Sequence, residues 1–220
     1  MTGPNMAISQ GAFDLIVACE TAGEQAHAEK HARPFWPGNT NGVTIGLGYD
    51  LGYRSVQRFR EDWGRVLSAE TCAALEPACG VTGAAAAPFA ERLAGVSVSW
   101  EQALQVFRDR VIPHWVGIVQ GALPHTRELS HDCLGALVSL VFNRGPSFSK
   151  TGDRYIEMRA IHQHMANREF ARIPGEIRAM KRLWPEIPGL RVRRDREADL
   201  FERGLSPGQQ ASTAAAGAYG

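Results

Sequence analysis

The chain has 220 residues, of which 44% are hydrophobic and 21% are charged, a size and composition typical of a globular domain with a sizeable core. No stretch reaches the ~20 consecutive apolar residues that a membrane-spanning helix needs, so we expect no stable membrane insertion. The formal net charge is +1, yet residues 1–143 carry 10 Lys or Arg against 14 Asp or Glu, whereas residues 144–220 carry 14 against 9. The basic C-terminal part favours an anionic partner such as cell wall, nucleic acid or phospholipid, although a solvated helical surface with interspersed charges has the same composition.

The N-terminus and the cysteines bear on the cellular compartment. Residues 1–10 have neither a basic flank nor a long apolar run, so no secretory signal is predicted. The four cysteines form no CxxC pair and no Cys/His cluster at zinc spacing. They are Cys19, Cys72, Cys79 and Cys133. This pattern favours free thiols in a reducing compartment, with a Cys72–Cys79 disulfide as the alternative.

The first quarter of the chain predicts a helix, an irregular segment and a short β element. Apolar spacing from Phe13 to Val17 predicts an amphipathic helix. Residues 21–42 break that pattern with several Pro, Gly and Asn, which are turn formers. Residues 42–50 read Gly-Val-Thr-Ile-Gly-Leu-Gly-Tyr-Asp, and their alternation is typical of a half-buried strand.

Helical patterns occupy most of the remaining sequence. Spacing typical of a helix resumes after Ser55, and Ser99-Trp-Glu-Gln102 has the form of a capping box. Residues 134–142 are apolar nearly all round, which favours a central buried helix. Three further helices are predicted over residues 155–165, 175–183 and 192–203, with Arg193 and Arg194 on a helix surface. This order predicts a predominantly helical α+β fold, in which a small β-hairpin lobe and a larger helical lobe are separated by a cleft.

Glu20 is a candidate general acid. It lies seven residues after Phe13 and four after Ile16, and therefore on the apolar stripe of the predicted helix. A carboxyl group there would be partly desolvated, which favours the protonated form that a general acid needs. The same position also fits a glutamate at the fraying end of a helix that points to water.

Thr44 and Asp50 are further candidates in the predicted strand. By alternation, Thr44 shares its face with Gly46 and Gly48, whose bare backbone would let a flat ligand approach closely or would simply permit a bend. Asp50 has the same parity, but six strand residues would place it roughly 20 Å from Thr44. The two can serve one site only if the chain turns sharply at one of the glycines. Otherwise Asp50 is expected to cap a turn before Gly52.

The segment after Glu20 contains Glu24, His27, Glu29 and His31, which we expect to lie in a solvated loop. Their order is not the His-Glu-x-x-His of a zinc protease, so no metal site is predicted. The sequence also lacks phosphate-binding loops, dinucleotide-binding glycine motifs and nucleophile elbows. We therefore expect no metal and no cofactor.

Taken together, these landmarks resemble glycoside hydrolase family 24, the phage-type lysozymes and endolysins. A glutamate closes the first helix, and residues 42–49 resemble the family's Thr-Ile-Gly-x-Gly strand. Leu-Val-Ser-Leu-Val-Phe-Asn-Arg-Gly at 137–145 is similar to the family's Phe-Asn-x-Gly segment. The C-terminal pattern Gly-Leu…Arg-Arg…Glu…Leu of endolysins resembles residues 189–200 here, which read Gly189-Leu-Arg-Val-Arg-Arg194 followed by Glu197 and Leu200. The resemblance extends from about residue 8 to 205.

The resemblance implies a muramidase, a lysozyme or endolysin that hydrolyses the β-1,4 bond between N-acetylmuramic acid and N-acetylglucosamine of bacterial peptidoglycan. The family's catalytic trio is Glu, Asp and Thr, which implies Glu20 as the acid and Thr44 as the residue that positions water. The family's Asp stands shortly before the Thr, but residues 36–42 here contain no carboxylate. Asp50 is the expected replacement; alternatively Asn39 or Asn41 holds the water, or Glu20 and Thr44 act alone.

Further expectations follow from the resemblance. Substrate-binding residues are expected at Trp36, Tyr49, Asn143 and Arg144. A lysozyme-like catalytic domain is expected over 1–208, with the β-containing lobe at 21–54 and the helical lobe at 55–205, followed by a flexible Ala/Gly-rich tail at 209–220. We expect a bacteriolytic monomer that binds peptidoglycan and not nucleic acid. It would be made in the bacterial cytoplasm and would reach the wall through a holin-type pore, as in phage release, or by a secretion machine. A non-catalytic peptidoglycan-binding homologue and a lytic transglycosylase are the alternatives.

Overall fold

The computed structural model describes residues 6–21 and 23–211. The chain folds into two compact units. We call Glu20–Val111 the hairpin unit, and Met1–Cys19 with Ile112–Gly220 the helical unit. The lobe boundary predicted near residue 55 thus differs from the structure, because the helices that follow the hairpin belong to the same compact unit as the hairpin. No helix in the described part of the chain is long and apolar enough to cross a membrane.

The hairpin unit contains one two-stranded antiparallel sheet and several short helices. Its strands are β1 (Thr44–Ile45) and β2 (Tyr49–Asp50). Its α-helices are α2 (Glu24–Lys30), α3 (Val56–Trp63), α4 (Ala69–Leu75), α5 (Ala87–Arg92) and α6 (Trp100–Val106). A π-helical segment, Phe107–Val111, follows α6. Short 3-10 helices cover Leu51–Tyr53, Glu76–Ala78 and Gly83–Ala86.

The hairpin contributes one face to the core of its unit. Val43 and Ile45 are fully buried, as their alternation predicts. They join a hydrophobic cluster that includes Phe59 and Trp63 of α3 and Val106 of α6. The apolar residues of the later helices therefore hold the hairpin in place from one side, and this packing explains why the unit extends to residue 111.

The helical unit is built from longer helices around a central one. Its helices are α1 (Gln10–Glu20, of which Glu20 falls in the hairpin unit), α7 (Ile112–Ala122), α8 (His131–Arg144), α9 (Ile156–Ala166), α10 (Ile173–Ala179), α11 (Pro188–Gly204) and α12 (Pro207–Ala211). Short 3-10 helices cover Thr126–Glu128, Asp153–Tyr155, Phe170–Arg172 and Met180–Leu183. Residues 209–211, which the sequence assigned to a flexible tail, belong to α12, and residues 212–220 lie outside the described part of the chain.

Helix α8 is the buried helix that the apolar run at 134–142 predicts. Residues 133–141 are all buried, and α8 packs against α7 and α11. Helix α1 approaches α8 closely at Gly135, where a Cβ atom would lie 2.1 Å from the Cβ of Ala12. A larger residue at position 135 would therefore push the two helices apart.

Serine residues fix the start of four helices. The side chains of Ser55, Ser68, Ser99 and Ser130 each accept a hydrogen bond from a backbone N–H in the first turn of the following helix. At Ser99 the reciprocal bond from Ser99 N to the Gln102 side chain is also present, which confirms the predicted capping box. Each such cap stabilises its helix by about 1 kcal/mol.

Candidate active site

Glu20 is the last residue of α1, and its side chain is exposed. The buried face of α1 consists of Ala12, Phe13 and Ile16, so the stripe that should have shielded Glu20 stops one turn earlier. The partial burial expected from the spacing is therefore not present in the structure, because the helix ends where the stripe would continue. Glu20 and Thr44 belong to the same compact unit.

The hairpin brings Thr44 and Asp50 together. β1 and β2 pair antiparallel, with Thr44 opposite Asp50 and Ile45 opposite Tyr49. The turn between the strands uses Gly46 and Gly48, whose φ angles are +54° and +75°, a region that side-chain-bearing residues rarely adopt. Residues directly opposite each other have Cβ atoms about 5 Å apart. The sharp turn that a shared site requires is thus confirmed.

Thr44 is buried, with 6% of the residue exposed to solvent. Its backbone N–H donates to the Phe35 carbonyl at 2.8 Å, and the Phe35 N–H donates to the Thr44 carbonyl at 3.1 Å. Thr44 therefore pairs with Phe35 on one side and with β2 on the other. Pairing on both sides fixes the backbone from which the Thr44 side chain extends.

The two turn glycines have different surroundings. A Cβ at Gly46 would lie 2.9 Å from the Trp63 ring and 3.2 Å from the Ala103 Cβ, so core packing requires a glycine there. Gly48 is exposed, and a Cβ added to it would have no other atom within 4 Å. The expectation of a glycine face open to a flat ligand is therefore wrong for Gly46.

The carboxylate of Asp50 binds backbone N–H groups. Its Oδ1 accepts from Gly52 N at 2.8 Å, and both of its oxygens accept from Gly42 N, at 3.1 and 3.2 Å. These bonds hold Gly42 against Gly52, where a Cβ on Gly42 would lie 2.4 Å from the Gly52 Cα. Asp50 thus caps the turn before Gly52, as the alternative interpretation of the sequence predicts, and it also ties that turn to the start of β1.

The loop before β1 is organised by its own side chains. Trp36 is half-buried, and its Nε1–H donates to the Asn41 carbonyl at 2.9 Å. The Asn41 Nδ2–H donates to the Gly38 carbonyl at 3.0 Å. Asn39 is exposed, with a left-handed φ of 55°. Of the two asparagines considered as water-holding residues, Asn39 is the one whose side chain is open to solvent.

Tyr49 is a core residue, and its expected contact with substrate is a misassignment. Only 5% of the residue is exposed, and its hydroxyl donates to Asp62 Oδ2 at 2.8 Å. The ring meets Trp63 edge to face, with centroids 5.6 Å apart. Burial, together with the bond to Asp62, raises the pKa of Tyr49 well above its usual range. Tyr49 lies opposite Ile45, on the core-facing side of the hairpin.

The segment after Glu20 contains helix α2 and is not simply a solvated loop. His27 lies inside α2, is 2% exposed, and its Nε2 lies 3.0 Å from the Val98 carbonyl. Its ring packs against Trp100 at the start of α6, with centroids 5.4 Å apart. His27 thus joins α2 to the later part of the hairpin unit. Among the described residues, no group of three or more His, Cys, Asp or Glu is arranged to hold a metal ion.

The cysteines of the described chain are free thiols, and no Cys72–Cys79 disulfide forms. Cys72 and Cys133 are buried, whereas Cys19 and Cys79 are half-buried. Burial raises the pKa of Cys79 to about 11, and it also raises the pKa of Cys72 and Cys133. These three thiols are therefore protonated and poorly nucleophilic near neutral pH.

Asn143 and Arg144 lie at the C-terminal end of α8 in the helical unit. Asn143 is exposed, and its Oδ1 accepts from Arg194 Nη2 at 3.3 Å. Arg144 is half-buried, and burial, reinforced by the charge of Arg154, lowers its pKa. Gly145 follows with a φ of 77° and ends the helix.

A buried ionic cluster lies between α8 and α11, and two of its members, Arg193 and Arg194, are residues that the sequence pattern assigned to a helix surface. Arg193, Arg194 and Glu197 are 4%, 0% and 0% exposed. Glu197 Oε1 accepts from Arg193 Nε at 3.0 Å and from Ser139 Oγ at 2.6 Å, and Glu197 Oε2 lies 2.8 Å from Arg194 Nε. Burial raises the pKa of Glu197, whereas the two guanidinium groups oppose that change. The i,i+4 and i,i+3 spacing of these residues was the available signal for their pairing.

Comparisons with known proteins support the fold. The family described as Domain of unknown function (DUF8812) matches residues 16–114, which include the whole hairpin unit. No curated protein matches the chain. Among solved structures, the crystal structure of the active form of P1 phage endolysin Lyz matches with a TM-score of 0.54 and 17% sequence identity, and the match covers 92% of this chain and 89% of that chain. At this identity the likeness shows the fold, which is lysozyme-like and confirms the predicted helical α+β class with a small antiparallel sheet.

Proposed function

We propose that this protein is a muramidase of the phage-lysozyme type that cleaves bacterial peptidoglycan, with Glu20 as its general acid. The observation that carries the proposal is the fold shared with a protein named as an endolysin over 92% of this chain. Within that fold, a glutamate ends the first helix and a threonine lies in the hairpin that follows. This order of elements and residues is the order that glycoside hydrolase family 24 shows.

Glu20 suits proton donation by its position. An exposed carboxyl group at a helix end is accessible to a polymeric substrate, and the bound glycan itself would remove water from it. Protonated Glu20 would donate to the glycosidic oxygen while positive charge develops on the sugar ring. The exposure of Glu20 in the free protein therefore agrees with a substrate-dependent shielding of the acid.

Thr44 is proposed to position the attacking water, and Asp50 is proposed to position Thr44. The Asp50 carboxylate already accepts bonds from the backbone N–H groups of Gly42 and Gly52. A carboxylate engaged in this way holds the hairpin in shape and is poorly disposed to act as a base. Of the alternatives open at the sequence level, the one in which Glu20 and Thr44 act without a second carboxylate is favoured.

The engagement of Asp50 also favours a second candidate, a lytic transglycosylase. In that reaction the C6 hydroxyl of N-acetylmuramic acid attacks its own C1, the glycosidic bond breaks, and the hydroxyl proton passes to the general base. Glu20 would first donate a proton to the leaving oxygen and then accept the hydroxyl proton. No second carboxylate and no water are needed, and the product is a 1,6-anhydro sugar.

Digestion of purified peptidoglycan tests the proposal. The wild type, Glu20→Gln, Thr44→Val, Asp50→Asn and the control Glu24→Gln, an exposed residue of α2, would be compared by mass spectrometry of the released fragments. We expect Glu20→Gln to slow cleavage about 10²- to 10⁴-fold, the usual contribution of a general acid. We expect Glu24→Gln to match the wild type. At equal folded fraction by circular dichroism, Asp50→Asn should keep most of its activity.

The products distinguish the candidates. Fragments with reducing N-acetylmuramic acid ends support hydrolysis, and anhydro ends support transglycosylation. Cleavage by Glu20→Gln at the wild-type rate would remove Glu20 from the mechanism. Binding of peptidoglycan by the wild type without any released fragment would support a non-catalytic wall-binding protein.

A further inference from the structure

The helical unit carries a group of cations and aromatic rings that the catalytic proposal does not use. We call it the basic–aromatic cluster, and it consists of Arg144, Lys150, Arg154, Tyr155 and Trp184. Arg144 ends α8, and Trp184 follows the 3-10 helix at Met180–Leu183. Lys150 lies in the connection after α8, and Arg154 and Tyr155 lie in the 3-10 helix before α9. Three separate segments therefore contribute to it.

Two of the three cations of the cluster, Arg144 and Lys150, lie against its rings. The Arg144 guanidinium carbon is 5.3 Å from the centroid of Trp184 and 5.9 Å from that of Tyr155. The Lys150 ammonium is 5.7 Å from the Tyr155 centroid. These distances lie within the range of cation–π attraction. Both rings are half-buried, so they provide apolar surface next to the charges.

Hydrogen bonds to the backbone hold the cluster together. Arg144 Nη2 donates to the carbonyl of Arg154. Arg159 Nη1 donates to the carbonyls of Lys150 at 2.7 Å and Gly152 at 3.2 Å. The loop between α8 and α9 is therefore fixed from both of its ends. Its cations are held near each other despite their mutual repulsion.

The nearby acidic groups do not neutralise these cations. Asp153 binds Nη1 of Arg182 at 2.7 Å, and Glu157 binds Nε of the same arginine. In the described part of the chain, Arg144, Lys150 and Arg154 form no ion pair with an acidic residue. The buried Nη1 of Arg144 also has no hydrogen-bond partner there. A positive group with an unsatisfied donor is thus maintained without a direct ion pair, since Glu157 acts on Arg144 only through its charge and forms its ion pair with Arg182.

We infer that the basic–aromatic cluster binds a carboxylate of the short peptides that peptidoglycan carries on N-acetylmuramic acid. Guanidinium groups match carboxylates in geometry and charge, and the rings can pack against the methyl groups of such peptides. This inference rests on the proposed function, since the peptidoglycan substrate names the source of the carboxylate. It assigns peptide recognition to Arg144, for which the family resemblance implies only contact with the sugars.

Binding of soluble muropeptides tests the inference independently of cleavage. The probes would be a disaccharide tetrapeptide with free carboxylates and the same compound with its carboxylates methyl-esterified. Titration calorimetry would compare the wild type with Lys150→Gln/Arg154→Gln, which changes two exposed residues only, and with the same variant plus Arg144→Gln. The control is Arg127→Gln/Arg203→Gln, which removes two exposed charges elsewhere in the helical unit.

We expect the wild type to bind the free acid about tenfold more tightly than the ester at low salt, and raised salt to reduce this preference. The double variant should lose most of the preference, the triple variant all of it, and the control none. Equal affinity of the wild type for acid and ester would overturn the inference, and so would full preference in the double variant. Tighter binding of a phosphate-containing wall polymer than of the acid, at matched charge, would overturn the carboxylate assignment. Preference for the acid in a protein that releases no fragments would leave this inference standing while the muramidase proposal fails.

Discussion

In the hairpin unit, the buried side chains of His27 and Asp62 lie apart, and neighbouring groups hold each of them. His27 lies within hydrogen-bonding distance of a backbone carbonyl, and Asp62 accepts a bond from Tyr49 and another from Arg58. In the helical unit, two arginines and one glutamate lie together in the core between α8 and α11. In the first arrangement, losing a single partner costs about 1–3 kcal/mol. The second leaves uncompensated charge in a dry environment when one member is removed, which costs more.

The two units also differ in how they use the rest of their charges. On the surface of the helical unit, ion pairs join α11 to its neighbours. Glu202 of α11 pairs with Arg178 of α10, and Asp195 of α11 pairs with Lys181 of the 3-10 helix that follows α10. Arg182 joins that 3-10 helix to α9 through Glu157. Much of the basic excess of residues 144–220 is therefore used within the fold. A positive net charge counted along the sequence indicates that an anion could bind. Only the ion pairs in the structure show which basic residues lack an acidic partner and could bind that anion.

The largest effect is expected from Glu197→Gln. The substitution keeps the size of the side chain but leaves Arg193 and Arg194 buried without their carboxylate. Breaking a buried ion pair in this way costs about 3–5 kcal/mol. The free energy of unfolding, measured by urea titration, should fall by that amount. Glu202→Gln on the exposed face of the same helix should change it by less than about 1 kcal/mol. Equal effects of the two substitutions would mean that burial of the cluster does not matter for stability.

A smaller loss is expected from Gly42→Ala in the hairpin unit. The added Cβ would lie 2.4 Å from the Cα and N of Gly52 and 2.6 Å from the Asp50 Oδ1. Since backbone atoms cannot move aside as a flexible side chain can, we expect a loss of about 2–3 kcal/mol. Gly95→Ala is the control, because nothing lies within 4 Å of its Cβ position. Thermal unfolding of both variants measures the difference, and a Gly42→Ala protein as stable as Gly95→Ala would show that the hairpin tolerates separation of the two glycines.

Apolar periodicity was enough to predict the class of fold. The buried helix at 134–142, the capping box at Ser99 and the alternation of Val43 and Ile45 are local signals, because each depends on residues close together in the sequence. The sequence did not predict the hairpin outright. It predicted only that Thr44 and Asp50 would need a sharp turn to share a site, since the two glycines permit a turn without requiring it. The lobe boundary differs from the structure because a hydrophobic core collects residues that are distant in the sequence, such as Val43 and Val106.

The candidate site was harder to predict for the same reason. The spacing of Glu20 is that of a buried position, but the helix ends there, and helix ends are poorly fixed by periodicity. Asp50 carries the right chemistry for catalysis, yet its carboxylate is used by backbone groups eight and two residues away. The pairing of Arg193 and Arg194 with Glu197 follows helical spacing, but the sequence alone does not show that this face of α11 is buried.

The smallest effect at neutral pH, and one that changes with pH, is expected from Tyr49→Phe. Removing the hydroxyl that donates to Asp62 should cost about 1.5–2 kcal/mol, the lower part of the range for a hydrogen bond to a charged group, because Arg58 still donates to Asp62. The folded protein keeps Tyr49 protonated because its pKa is raised, whereas the unfolded chain loses that proton near pH 10. Stability of the wild type should therefore fall above pH 10 by up to about 1.4 kcal/mol per pH unit from this group.

Tyr49→Phe lacks this group, so its disadvantage relative to the wild type should shrink as the pH rises from 9 to 11. Tyr53→Phe is the matched control, because Tyr53 is 61% exposed and its hydroxyl donates to the Thr40 carbonyl at the surface. Urea unfolding at several pH values gives both differences, and ultraviolet absorbance near 295 nm follows the tyrosine titration directly. A constant difference between Tyr49→Phe and the wild type across this range would show that Tyr49 ionises in the folded protein as readily as in the unfolded chain. The hairpin unit would then hold two buried like charges side by side, whereas the helical unit buries charges of opposite sign.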